Sequence, residues 1–230
     1  MVNGQHLKNV ILLSKEYNYM KLSLKLLESN GELNKSILDA LIPEVDAYMK
    51  NKLQFIRTNL PAIIEDIITN SETYSSLVGG QLQYEFGIPD PQPKLDEILN
   101  IWTKNIDITY NRPAASSANI KASFSVSLIR SDFSDVLSSD AALVVDSLRG
   151  YNLSWLEWLL LEGNKTIIKN QQVIVGSSKF SRTGLALMRE SNQSWKVPSQ
   201  FAGSISNNWI TRAIDDNQNI INNFLQKAFN

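Results

Sequence analysis

The acid–base chemistry open to this chain rests on carboxylates. Glu157 and Glu162 stand five residues apart, and Asp215 and Asp216 are adjacent. Glycoside cleavage needs two carboxylates flanking one bond, one as proton donor and the other as base or nucleophile. Five-residue spacing puts two side chains at different angles on a helix, and adjacent residues do not face each other. Both pairs therefore read first as solvated helix surface. Serines are plentiful, but no Gly-x-Ser-x-Gly elbow presents one as a nucleophile. The only histidine, His6, lies close to the chain start and reads as a surface residue; a triad or multi-histidine metal site would have to be built around it. The absence of cysteine excludes disulfides, thiolate metal sites and a cysteine nucleophile.

Phosphate-binding loops are also missing. The local glycine clusters, Gly79-Gly80 and Gly176–Gly184, form neither GxGxxG nor a Gly-Lys-Ser/Thr ending. These absences disfavour an enzyme, and no cofactor or metal is expected.

The chain has 230 residues, a mass of 25.9 kDa and 43% hydrophobic residues, enough for a sizeable core. Twenty-two Lys and Arg face 23 Asp and Glu, for a net charge of −1. Neither half forms a polybasic footprint, which weakens a nucleic-acid-binding reading. The start has no basic n-region and no small-residue cleavage site. The longest apolar cluster is broken by Glu157 and is too short to span a membrane. A soluble product folded inside the cell is the expectation. Asn and Ser are frequent but dispersed, and there is no internal repeat.

The elements that would position these residues read as α+β: helices first, a central, mainly antiparallel sheet, and a C-terminal helix packed on it. Residues 1–75 form the N-terminal helical region and residues 76–230 an α+β core. Leu7, Val10, Ile11 and Leu13 can share a helical stripe, while Met20, Leu22, Leu24 and Leu26 fit a helix or a strand. Asn34 is a candidate N-cap. Pro43 and Leu60-Pro61 read as a kink or helix start and a break. Residues 69–80 read as a polar connection, and Leu82, Tyr84 and Phe86 as a strand or a helical turn. A proline-rich turn over residues 87–93 precedes an amphipathic helix carrying Leu95, Ile98, Leu99 and Trp102. Ile106–Tyr110 reads as a strand, Arg112–Ser117 as a loop, and Ala122–Leu128 as the best strand in the chain, with one apolar and one serine face. That serine face suits water, or the close approach of another chain.

Asp140–Leu148 reads as a helix capped by Ser138 or Ser139, and Trp155–Leu161 as another, closed by Gly163. Thr166–Ile168 and Gln172–Val175 suggest a hairpin around Asn170. Residues 176–203 read as loop-rich, with an apolar piece at Leu185–Met188, before a final helix capped by Ser206. Trp155 and Trp158, three apart, read as core. Trp195, in a polar loop, either plugs its own core or anchors a neighbour.

Several blocks of the second half carry a resemblance. Ser181-Arg182-Thr183-Gly184 is followed by Trp195-Lys196-Val197-Pro198-Ser199-Gln200-Phe201-Ala202-Gly203, then by Asn208-Trp209-Ile210-Thr211-Arg212-Ala213-Ile214. Trp155–Gly163 and Leu77–Leu82 with Phe86-Gly87-Ile88 belong to the same pattern. It resembles the neck or tail-completion (head–tail joining) proteins of tailed bacteriophages. The resemblance implies a ring-forming virion structural protein of the neck or proximal tail, made in the host bacterial cytoplasm. Its implied partners are copies of itself, in six-fold or other tail-matching symmetry. Portal or adaptor, tail-tube, and sheath or terminator proteins complete the set. No membrane is involved, and DNA at most passes through the ring lumen. A tail-terminator role fits the same residues. On this view Arg182, Thr183, Gly184, Trp195, Val197, Pro198, Phe201 and Gly203 are candidate subunit-interface residues, with Val197-Pro198 holding the segment extended. The alternative is a soluble hydrolase or carbohydrate-binding domain using surface carboxylates.

Overall fold

The computed structural model describes residues 12–16, 19–23, 29–116, 119–128, 132–146 and 151–229. His6, Leu7, Val10 and Ile11 lie outside them. The class is α+β, as the sequence pattern implies. Among the described residues the strands pair as four two-stranded ribbons. Two compact units are formed: Met1–Asn51 with Tyr110–Phe124, and Lys52–Thr109 with Ser125–Asn230.

In the first unit, β1 (Leu12–Glu16) and β2 (Tyr19–Ser23) form an antiparallel hairpin in which Leu13 pairs with Leu22. Leu13 thus belongs to a strand and not to the expected helical stripe. Helix α1 (Asn30–Thr69) begins in this unit. Its start is earlier than Asn34 because Ser29 and Glu32 form a reciprocal cap. Glu32 N–H donates to Ser29 Oγ (3.3 Å), and Ser29 N–H donates to Glu32 Oε2 (2.9 Å). The helix passes Pro43 and Pro61 unbroken. The lost bonds fall on the carbonyls of Asp39 and Arg57, both exposed residues where water can serve instead.

Strands β3 (Asp107–Ala115) and β4 (Ile120–Ser127) pair, so residues 112–115 extend a strand rather than open a loop. In β4 every second residue is half-buried, and Ser123, Ser125 and Ser127 are exposed, as the alternation predicts. Tyr110 Oη donates to Asp46 Oδ1 (2.8 Å), and Lys50 pairs with Asp46 Oδ2 (2.7 Å). These two partners hold the Asp46 carboxyl below its usual range.

The second unit holds the core. Leu53, Ile56, Leu60, Ile64, Ile67 and Ile68 of α1 are buried at helical spacing on both sides of Pro61. That burial explains why packing overrides the proline. Residues 69–80, expected as a connection, contain α2 (Glu72–Gly79). Ser71 caps it by accepting from Tyr74 N–H at 3.2 Å, and Thr73, Tyr74, Ser76 and Leu77 supply its buried face. Next come α3 (Gln81–Phe86) and α4 (Pro91–Lys104), the latter with proline at its first position. Leu95, Ile98, Leu99 and Trp102 are all buried.

A short helix α5 (Ser134–Leu137) precedes a single 3-10 turn at Asp140–Ala142. Ser139 caps that turn as expected, but the helix stops there. The β-branched Val144 and Val145 enter β5 (Val144–Asp146), which pairs with β6 (Tyr151–Leu153). Helix α6 (Trp155–Leu160) follows. Strand β7 (Gln171–Val175) pairs with β8 (Ala186–Glu190), not with Thr166–Ile168, so the segment expected as loop contains a strand. The C-terminal helix is two: α7 (Trp209–Asp216) and α8 (Gln218–Phe229), parted at Asn217. No helix among the described residues is long and apolar enough to cross a membrane.

Candidate functional site

Phe86 is where the distant sequence blocks meet. It ends α3 and is fully buried. Its ring centroid lies 6.2 Å from Trp155, 6.2 Å from Trp158 in stacked orientation, and 5.5 Å from Trp195 edge-on. These are favourable aromatic geometries. Trp155 is held from the other side by its indole N–H, which donates to Ala141 O at 3.0 Å. Trp155 is fully buried and serves core packing, as expected, whereas Trp158 stacks on Phe86 while only half-buried. Trp195, for which two roles were open, is 8% exposed and packs against its own chain.

Gly87, next to the hub, is left-handed with φ 63°. A Cβ there would be strained, and it would stand 3.0 Å from Arg182 Nε and 3.1 Å from Nη2. The glycine lets the Arg182 guanidinium lie against the backbone, where Nη2 donates to Phe86 O at 3.2 Å. Thr183 Oγ1 accepts from Leu185 N–H (3.3 Å), and Gly184 turns the chain with φ 76° into β8.

The segment from Trp195 to Arg212 folds back on the same unit. Trp195 N–H donates to Ile168 O at 2.8 Å. Val197 and Phe201 are buried. Pro198 O accepts from Phe201 N–H (2.9 Å) and Ala202 N–H (3.0 Å). Gly203 faces α6 so closely that a Cβ would run into the carbonyl of Leu159. Gly163, expected as the helix stop, instead packs against this loop, its N–H donating to Gly203 O at 3.0 Å.

The cap of α7 is Asn208 rather than the exposed Ser206. Asn208 Oδ1 accepts from Ile210 and Thr211 N–H, each at 3.1 Å, while Thr211 Oγ1 accepts from Asn208 N–H at 2.8 Å. Arg212 then reaches back to the loop carbonyls. Nη1 donates to Ala202 O (3.1 Å) and Nη2 to Phe201 O (3.4 Å). Partial burial lowers its pKa, and Asp216 opposes that shift.

Beside the hub lies a cleft of about 330 Å³, lined by Tyr84, Glu85, Phe180, Arg182, Met188 and Trp195 among others. Burial raises the Glu85 carboxyl above its ordinary value; Gln81, donating at 2.6 Å, and the nearby Trp195 indole oppose the shift. Glu85 Oε2 and Trp195 Nε1 are both sealed from solvent without meeting hydrogen-bond geometry.

The structure thus brings Arg182 and Trp195 to one cleft. It packs Val197, Phe201 and Gly203 into the unit's interior. Glu162 is ion-paired with Lys165 (2.5 Å), and Asp215 and Asp216 are exposed at the end of α7. Phe86, Glu85 and Arg212 are the pivotal residues that composition and spacing do not reveal, although Phe86 and Arg212 stand inside the blocks that carry the resemblance. No group of three His, Cys, Asp or Glu that could hold a metal ion occurs among the described residues. Comparison with known protein families, curated proteins and solved structures finds no match to this chain.

Proposed function

We propose that this chain is a structural subunit acting through protein–protein contacts, a neck or tail-completion component of a tailed phage that joins head connector and tail. The observation that carries the reading is the first unit's surface. Among residues 29–51, 110–116 and 119–124 of this unit only Pro113 is buried. Ile37, Leu41 and Tyr48 of α1, at spacings of four and seven, are 53, 42 and 48% exposed on one helical face. A face of this kind suits burial against other chains.

The resemblance blocks support the same reading in another way. Three of the other four blocks reach Phe86, through Trp155 with Trp158, Arg182 and Trp195, so most of the pattern packs as one cluster. Near-zero net charge avoids strong repulsion between identical neighbours. Ring formation would follow from heterologous contacts that close on rotation.

The test is peptide mass spectrometry of purified virions from a phage encoding this chain. The reading expects the chain in mature particles at a fixed, multiple copy number, retained in isolated neck or tail complexes. Its absence from particles, with abundance in the infected-cell lysate alone, would refute the assignment.

A further inference from the structure

The charge balance of the whole chain hides a strong segregation. Residues 163–200 contain Lys165, Lys169, Lys179, Arg182, Arg189 and Lys196 but only Glu190 as an acid, a net +5. The remaining residues therefore carry −6 of the total −1. All six cations are exposed. Lys179 and Arg182 lie in the loop that connects β7 and β8, Arg189 in β8 opposite Gln172, and Lys169 just before β7. The loop carries Phe180 at 86% exposure, with Val175 at 66% and Leu185 at 45% at its two ends. An exposed aromatic with Lys179 over its ring at 5.3 Å, two exposed aliphatic side chains and further cations along the ribbon match the composition of a protein interface, apolar and charged together.

The same unit presents the opposite charge elsewhere. Helices α4 and α5 and the 3-10 turn pack on one another and expose Asp96, Glu97, Asp132 and Asp140. Asp96 accepts from Gln92 (2.7 Å), Glu97 from Ser139 (2.5 Å) and Asp132 from Ser134 (3.0 Å), all neutral donors. Residues 90–107 and 132–140 together hold seven acids and two lysines, a net −5.

We infer that the β7–β8 ribbon of one copy docks on the acidic α4–α5 face of a second copy of this chain. This rests on the reading of the chain as a self-assembling structural subunit and names its contact surfaces. A nucleic acid fits the ribbon less well, because the excess negative charge on the rest of the chain repels a polyanion and Val175 and Leu185 are aliphatic. The contact is heterologous: ribbon and acidic face are different surfaces, so the pairing repeats from copy to copy and closes into a ring where the rotation allows.

The experiment is charge reversal read by sedimentation velocity over a concentration series, at low and high salt. Lys179→Glu with Arg189→Glu reverses the ribbon, and Asp96→Lys with Glu97→Lys reverses the acidic face. Each pair is expected to weaken self-association by about tenfold or more, and the chain carrying all four substitutions to recover it. Phe180→Ala is expected to weaken association while leaving its salt dependence in place. Undiminished association of both reversed variants would overturn the inference. So would loss without recovery in the four-fold variant. Ribbon reversal that abolishes binding to a DNA oligonucleotide while self-association persists would assign the ribbon to nucleic acid instead. A wild-type chain that assembles alongside unaffected variants removes only this inference. A wild-type chain that stays monomeric, alone and with head–tail proteins, removes the functional reading as well.

Discussion

Phe86→Ala is the substitution that bears hardest on the convergence of the sequence blocks. The side chain is fully buried, so truncation leaves a cavity as well as removing transfer free energy. Loss of a buried phenylalanine ring costs about 3–5 kcal/mol. Three tryptophan rings lie within 6.2 Å of its centroid, and each aromatic pair is worth about 0.5–1.5 kcal/mol beyond its area. The cost therefore falls toward the upper end, about 4–5 kcal/mol. With a urea slope of about 2 kcal/mol per molar, the midpoint drops by about 2 M. Urea titration followed by tryptophan fluorescence measures this, since three of the reporters touch the ring. Phe180→Ala is the control: at 86% exposure its stability should stay within about 0.5 kcal/mol of the parent. A Phe86→Ala cost below about 1.5 kcal/mol, or one equal to the control's, would refute the hub.

Further outcomes can be checked on the same material. Gly203→Ala forces a methyl group into the Leu159 carbonyl and should lower stability by about 3 kcal/mol, against near-neutrality for Gly176→Ala, where nothing stands within 4 Å. Asn208→Ala removes the α7 cap and should cost about 1–2 kcal/mol in a denaturant titration. Glu85→Gln addresses the buried carboxyl. Its folded-state pKa is raised, so the folded chain holds the proton more tightly and native stability falls as pH rises through the window above the ordinary value. The glutamine variant should therefore gain melting temperature over the parent at neutral pH, with the gap closing toward pH 4.5. A gap that widens on acidification would reverse the assignment of burial as the dominant cause.

What the sequence reveals of this molecule depends on the range of the interactions. Helix α4 is legible because one local stripe, Leu95 to Trp102, coincides with the buried face. Strand β4 is legible because its period of two coincides with exposure. The start of α1 is also written locally, in Ser29 and Glu32, although Asn34 competes as a cap. Pro61 misleads because intrinsic propensity counts the lost hydrogen bond but not the buried leucines and isoleucines that hold the helix across it, while at Pro43 the freed carbonyl belongs to the exposed Asp39, where water serves instead. Strand β8 escapes because Ala186–Glu190 alternates weakly and its partner lies beyond a ten-residue connection. The hub escapes for the same reason on a larger scale: Phe86 and Trp195 meet across more than a hundred residues, and no periodicity records that contact. Arg212 shows how a residue can be visible as part of a pattern while its work, gathering the loop carbonyls at Phe201 and Ala202, appears only in the fold.

The role as an assembly subunit is tested most directly by native mass spectrometry of the purified chain, alone and mixed with portal, adaptor and tail proteins. The account predicts a discrete closed oligomer, or stable incorporation at fixed stoichiometry into a head–tail complex. A chain that remains a monomer at every concentration and ignores each of those proteins would contradict it.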